Sequence, residues 1–395
     1  MFKSIDKQGW ILRLIYCLFF IQAGAWYSLF GLFLDRFGLN GLESGIIIGI
    51  FPVMMLLAMP FWGMVADKLG HKKALLITAL LTSLSYGLYF FGKSFWYFFA
   101  STIIVALVYN PTMNSLLDSI ALDYVDKHKK TNFGNFRVWG SFGYAAGSLF
   151  AGKIMSLVAM KYIFIVASIL LFVGWCLLFF VRTETIVKKE NNDSIYKGLI
   201  PVLRNKVILR FLFLNTIIAI SIQSVWSFYS VYLSKIGADD QTVGIGIMLQ
   251  ALVELPFFPI AYIVIKKFGL IRAITISTFF TAVRLFLYSS VSNPYLALPI
   301  ESLQGFSYIL NLLAAIEFLN LTVPVQWRAT GQSLFASTYF GVGAIVGNWW
   351  AGYLIDRFDI QKMFLVNSGI MALVFLFSFL IKNKKYEPVE IQNNQ

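Results

Sequence analysis

Apolar residues in this chain come in long, nearly unbroken runs, and polar residues are confined to short stretches between them. A helix that crosses a hydrocarbon layer about 30 Å thick needs roughly 20 mostly apolar residues. Runs of that order lie at 11–34, 43–64, 74–92, 95–118, 137–152, 158–181, 207–233, 242–264, 271–291, 295–320, 331–354 and 362–381. The pattern predicts an all-α membrane protein with about twelve transmembrane helices. A barrel would instead show segments of about ten residues alternating polar and apolar positions. The fifth run is the weakest, because Gly140, Gly143, Gly147 and Gly152 dilute it. Small residues are nevertheless common where membrane helices pack closely.

Composition agrees. Of 395 residues, 58% are hydrophobic and 13% charged, against about 25% charged in a soluble chain. The net charge of +13 would suggest nucleic acid were it not for its distribution. With the N-terminus inside, 24 of the 32 Lys and Arg fall at the two ends and in the even-numbered turns. Basic residues collect on the cytoplasmic side of membrane proteins, so both termini read as cytoplasmic and nucleic acid is not expected as a partner. Cys17 and Cys176 sit inside predicted spans, where a thiol behaves as a small apolar group. There is no disulfide framework and no metal spacing. Lys3, Lys7 and the run ending in Ala23-Gly24-Ala25 mimic a cleavable leader, but that segment has a counterpart later in the chain and reads as a span.

Sliding the sequence along itself by 199 residues brings Ser28–Gly38 over Ser227–Gly237 without a gap. The register persists, with Gly45 meeting Gly244, Pro60 meeting Pro259, Lys68 meeting Lys267 and Gly70 meeting Gly269. Apolar coincidences are common; matched glycines and prolines at one offset are not. The first two spans thus return as the seventh and eighth. The expected organisation is a six-helix bundle at 1–182, a cytoplasmic linker at 183–206, a second bundle at 207–382 and a tail at 383–395. Parallel halves suit a transporter that rocks about a central site.

Between the second and third spans stands Gly63-Met-Val-Ala-Asp67-Lys68-Leu-Gly70-His71-Lys72-Lys73. It resembles the G-x-x-x-D-R/K-x-G-R/K-R/K signature of the major facilitator superfamily, with His71 replacing one basic residue. Physically, Gly63 permits close helix packing, Gly70 turns the chain, and Asp67 is placed to pair with a cation or with a helix N-terminus. The resemblance implies the major facilitator fold of two pseudo-symmetric six-helix halves. It also implies that this loop, through Gly63, Asp67, Lys68, Gly70, Lys72 and Lys73, latches the halves on the cytoplasmic side. The second copy has Lys266-Lys267-Phe268-Gly269 and lacks the acid. Phe136-Arg137-Val-Trp139-Gly140-Ser141-Phe-Gly143 and Arg328-Ala-Thr-Gly-Gln332-Ser are similar to the branch that includes lactose permease, nucleoside–proton symporters and phenylpropionate permeases.

An ionisable group inside a span costs at least about 2.5–3.5 kcal/mol and so marks an interior or functional position. Asp118, Glu254, Arg284, Glu301 and Glu317 qualify. Glu254, one turn from Gln250 on the same helix face, is the first candidate for a proton site, with Glu301 and Asp118 after it. A carboxyl merely bonded to a neighbouring helix is the plainer alternative. Glu301, Gln304, Tyr308 and Asn311 share one stripe of the tenth span, which is expected to face a wet cavity. Arg284 and Glu301 lie at similar depth on consecutive helices, placed for an ion pair or for receipt of an anionic solute. Asp118 and Arg137 stand in the same relation, with Asp123 as a rival acid. Lactose permease carries an acidic–Arg pair across these two helices for sugar recognition, so the resemblance implies solute contact there. Its tenth-span His and Glu correspond here to the stretch Gln304-Gly-Phe-Ser307, which makes lactose itself an unexpected cargo. Gln22, Asn110, Gln223, Trp226 and Gln250 complete the candidates for solute contact. Trp26 and Trp226 are either packing groups or stacking surfaces.

The expectation is a secondary active transporter in a bacterial cytoplasmic membrane, working by alternating access as a proton symporter. The cargo is a small polar or aromatic solute such as a sugar, nucleoside or aromatic acid, and a multidrug or metabolite exporter is the rival reading. The chain is expected to be monomeric and to use no cofactor beyond an ion gradient. An enzyme would need a nucleophile, metal cluster or phosphate loop. His71 and His128 both lie in loops, and no such motif is present.

Overall fold

The computed structural model describes residues 7–109, 112–128, 132–182, 202 and 204–378. Most of the expected linker, the tail and the last residues of the twelfth run therefore lie outside the described residues, as does Asn110.

Among the described residues there is helix but no strand. Eight helices are long and apolar enough to cross a membrane: α1 (Lys7–Arg36), α2 (Gly41–Leu69), α3 (His71–Phe90), α7 (Lys206–Lys235), α8 (Asp240–Phe268), α9 (Leu270–Ser290), α10 (Pro294–Thr322) and α12 (Ile360–Ser378). The remaining four are α4, in the pieces Phe95–Val108 and Thr112–Lys127, α5 (Gly134–Leu157), α6 (Tyr162–Leu178) and α11 at 328–357. Each coincides with a predicted run, so the fold is the expected twelve-helix membrane bundle.

The repeat fixes local geometry as well as sequence. Four glycines have positive φ, namely Gly38 (95°), Gly70 (86°), Gly237 (92°) and Gly269 (80°). They form two pairs at the 199-residue offset, at turns where a side chain would be strained. Helix starts repeat too. Asn40 accepts from the Glu43 amide at 2.8 Å to open α2, and Asp239, its counterpart, accepts from the Thr242 amide at 2.8 Å to open α8. Ser94 caps α4 through the Tyr97 amide, and Asn293, its counterpart, caps α10 through the Tyr295 amide. Each cap supplies an acceptor for an amide left free at a helix start.

The chain forms two compact units. Unit 1 is Met1–Lys189 with Tyr229–Leu252, and unit 2 is Glu190–Phe228 with Val253–Gln395. In unit 1, α5 lies backbone to backbone on α1. A Cβ at Gly143 would fall 2.4 Å from the Cys17 carbonyl oxygen, and one at Gly147 2.0 Å from that of Ile21. The glycines that weaken the fifth run are thus the surface that seats it. Tyr229–Leu252 joins unit 1 through an equally close approach of Gly244 to Ser148 and Gly152. Ion pairs of Arg36 with Asp240 and of Lys235 with Asp35 add to this contact. In unit 2, α11 meets α7 in the same way, and a Cβ at Gly347 would sit 2.8 Å from the Ile220 carbonyl oxygen.

Candidate transport site

Unit 2 gathers Glu254, Arg284 and Glu301 into one network. Arg284 on α9 donates through Nη2 to Glu301 Oε2 on α10 at 2.7 Å, and both side chains are sealed, at 2% and 0% exposure. Its Nε donates to the Tyr288 hydroxyl at 3.1 Å, and Tyr288 donates onward to Glu301 Oε1. Both oxygens of Glu301 are thereby occupied. Arg284 Nη1 donates to Gln304 Oε1, and Gln304 Nε2 donates to Glu254 Oε1 on α8 at 3.0 Å. The predicted Arg284–Glu301 pair forms, and as a sealed one it has no room for an anionic solute in this conformation.

Glu254 differs from Glu301 in two respects. It is only partly buried, and its second oxygen has no hydrogen-bond partner among the described residues. One oxygen is held and the other is not, so the two oxygens of Glu254 are inequivalent. Gln250, on the same face one turn away, is buried, with its Nε2 unpartnered among the described residues.

The stripe on α10 corrects one expectation. Glu301, Gln304 and Asn311 are fully buried and Tyr308 nearly so, facing neighbouring helices rather than a cavity. Asn311 donates to Asn215 on α7 at 3.1 Å. Glu301 and Gln304 are held by α9 and α8 and Asn311 by α7, and between them lies a π-turn at Gly305–Ile309, which widens the helix by one residue. Gly305 permits the turn to meet α8, since a Cβ there would collide with the Phe257 ring at 1.9 Å. A second π-turn occupies Ser337–Val342 of α11. Both flank Trp226 of α7, whose ring meets Tyr308 edge-on at 4.7 Å and lies parallel to Phe340 at 6.3 Å. Trp226 is partly exposed and its indole N–H makes no hydrogen bond among the described residues. Gln223, one turn earlier, is likewise without a hydrogen bond among the described residues.

Unit 1 has its own polar cluster. Asp118 on α4 accepts from the Tyr16 hydroxyl of α1 at 2.7 Å and pairs with Arg137 of α5 at 3.5 Å, with side chains 29% and 49% exposed. Asp123 turns instead to His71 at 3.8 Å, which settles the choice of acid. Trp26 is sealed, ringed by Phe30, Tyr86, Tyr89, Tyr109 and Phe164. Its indole donates to Gln22 Oε1 at 3.3 Å, and Tyr86 donates to the same oxygen at 2.7 Å. Gln22 Nε2 donates to the Phe19 carbonyl. Gln22 is therefore held inside the packing, and the structure does not bring it to open space. Glu317 is exposed.

A family model described as the MFS_1 like family matches residues 9–366. The chain belongs to that family. Maltose permease of Geobacillus stearothermophilus is 25% identical over 376 residues, covering 93% of this chain and 94% of the relative. Quinolone resistance protein NorA of Staphylococcus aureus is 25% identical over 366 residues, covering 89% and 91%. The solved nucleoside transporter NupG shares the fold with a TM-score of 0.87 at 17% identity, covering 95% of this chain and 100% of that one. The chain is accordingly a multi-pass secondary transporter of the major facilitator superfamily, carrying a small-molecule solute across a membrane.

Against the superfamily signature, the loop after α2 shows a departure. Gly70 makes the expected turn, and Lys72 donates to the Phe179 and Val181 carbonyls at 3.3 and 2.6 Å, closing the end of α6. A Cβ at Gly63, however, would meet nothing within 4 Å, so the expected close packing is absent. Asp67, Lys68 and Lys73 are exposed and make no ion pair among the described residues. Three groups escaped the sequence reading. Tyr288 and Tyr16 are not among the candidates, although Tyr288 lies one turn from Arg284 on the same face. Arg13, counted with the terminal charges, is buried at 3% exposure and lies 4.8 Å over the Phe136 ring.

Proposed function

We propose that this transporter imports a neutral, sugar-like solute together with a proton that binds Glu254. The observation that carries the reading is the Glu254 carboxyl, partly exposed, held on one oxygen by Gln304 and open on the other. The neighbouring acid, Glu301, accepts on both oxygens from Arg284 and Tyr288, whereas Glu254 has one oxygen without a hydrogen-bond partner among the described residues. With Arg284 balanced by Glu301, the network offers no spare cation for an anionic cargo among the described residues. Trp226, edged by Tyr308, offers a ring surface, and Gln223 offers an amide, which suits the apolar face and hydroxyl rim of a sugar. The similarity to maltose permease favours the same class. NorA, named for quinolone resistance, keeps an exporter as the second reading.

On this proposal the chain lies in a bacterial cytoplasmic membrane with both termini inside and acts as a monomer without nucleic acid or cofactor. The proton gradient drives the cycle. Asp118 and Arg137 contribute solute contact from unit 1, and Gly63, Asp67, Lys68, Gly70, Lys72 and Lys73 form the cytoplasmic latch when the two halves, 1–182 and 207–382, change state.

Reconstituted protein in vesicles, tested with radiolabelled maltose and with a lipophilic cation, checks the proposal. An imposed inward proton gradient is expected to concentrate maltose. Glu254→Gln should abolish that accumulation while leaving exchange of solute at equal pH intact. Full accumulation by Glu254→Gln would refute the assignment, and export of the cation alone would favour the exporter.

A further inference from the structure

The proton-site reading of Glu254 leaves open what aims that carboxyl. We propose that Gln304 is its positioning residue, fixing which oxygen of Glu254 takes the proton and tying that carboxyl to the buried Arg284–Glu301 pair. The argument is one of donors and acceptors. A guanidinium can only donate, so the Gln304 atom facing Arg284 is its oxygen, and the amide nitrogen has to face Glu254. That nitrogen can also only donate, so Glu254 Oε1 accepts whether the carboxyl is charged or neutral. The proton therefore adds to Oε2, the oxygen without a partner among the described residues, and leaves from it without breaking the Gln304 bond.

The charged groups acting on Glu254 are Arg284 of α9 and Glu301 of α10. Glu301 already accepts on both oxygens, so one proton site remains, and Gln304 is the hydrogen-bonded path from it to the ion pair. Packing alone does not demand an amide here. At the 199-residue offset, unit 1 fills the same place with Val105, which is fully buried.

The test uses the full chain and needs no knowledge of the cargo. Infrared difference spectra between acid and alkaline pH are recorded on wild type, Glu254→Gln, Gln304→Met and Gln304→Val. Wild type is expected to show a protonated carboxyl band that Glu254→Gln removes. In both Gln304 variants that band should move to higher wavenumber, because its carbonyl has lost the amide donor. Proton-driven maltose accumulation should fall in the same variants while exchange at equal pH persists. A role confined to packing would lower thermal stability and leave the band in place, so an unmoved band in either folded variant overturns the proposal. Absence of any band dependent on Glu254 would instead remove the proton-site reading beneath it. Val fills this place in unit 1, so Gln304→Val carries the test should Gln304→Met fail to fold.

Discussion

The same five positions are built twice in this molecule and chemically used once. In unit 2 they hold Glu254, Arg284, Tyr288, Glu301 and Gln304; at the 199-residue offset unit 1 has Met55, Ser85, Tyr89, Thr102 and Val105. The tyrosine bond survives in both, with Tyr89 donating to Thr102 at 3.2 Å and Tyr288 donating to Glu301. At these five positions the acids and the arginine are confined to one copy. A ring contact also recurs, Tyr27 stacked on Tyr109 in unit 1 and Trp226 edge-on to Tyr308 in unit 2. The two copies differ, then, in where charge is allowed. Unit 1 keeps its acid–Arg pair partly exposed and unit 2 seals its own, whereas the ring position is open in both, with Tyr27 exposed and Trp226 partly so. The scaffold evidently tolerates either chemistry, so the charges of unit 2 are there for what they do.

The comparison can be broken most sharply at Arg284. Arg284→Ser alone leaves Glu301 buried without its cation and should cost about 3–5 kcal/mol, seen as loss of folded protein on size-exclusion chromatography. Arg284→Ser with Glu301→Thr and Gln304→Val installs the neutral set of unit 1 and should restore the monodisperse peak without restoring proton-driven uptake. If the triple variant is no better folded than the single one, the two copies are not interchangeable. A smaller effect is expected at the rings. Trp226→Ala should weaken sugar binding about tenfold, or ~1.4 kcal/mol, with little change in melting temperature. The smallest belongs to the wet pair. Asp118→Asn should change stability by no more than about 1 kcal/mol, because half-exposed ion pairs contribute little, and any large loss in melting temperature would mean that unit 1 also depends on buried charge.

The fold was legible because its signals are long and repeated. Apolar runs mark spans, and glycines recurring at one offset mark turns that no other residue makes as easily. The Arg284–Glu301 pair was legible because two charges at equal depth on consecutive helices have few other partners. The direction of the α10 stripe was not, since the helix period places residues on one face without saying whether that face meets a cavity or, as here, side chains of α7, α8 and α9. Nor was the packing of Gln22 and Trp26, whose residue types suit a cavity wall as well as a core. Tyr288 was within reach, because the offset that aligned the glycines also sets it over Tyr89.

The glycine seam between α1 and α5 bears on how the protein is made. A segment as weakly apolar as α5 gains little from lipid alone and gains much from the backbone of α1. Because α1 is synthesised long before α5, it has to stay near the insertion machinery, its Cys17 and Ile21 carbonyl face still uncovered, until Gly143 and Gly147 emerge. A bulky residue at either glycine would be felt first during biogenesis, with the fifth segment left at the membrane surface and every later helix threaded the wrong way round.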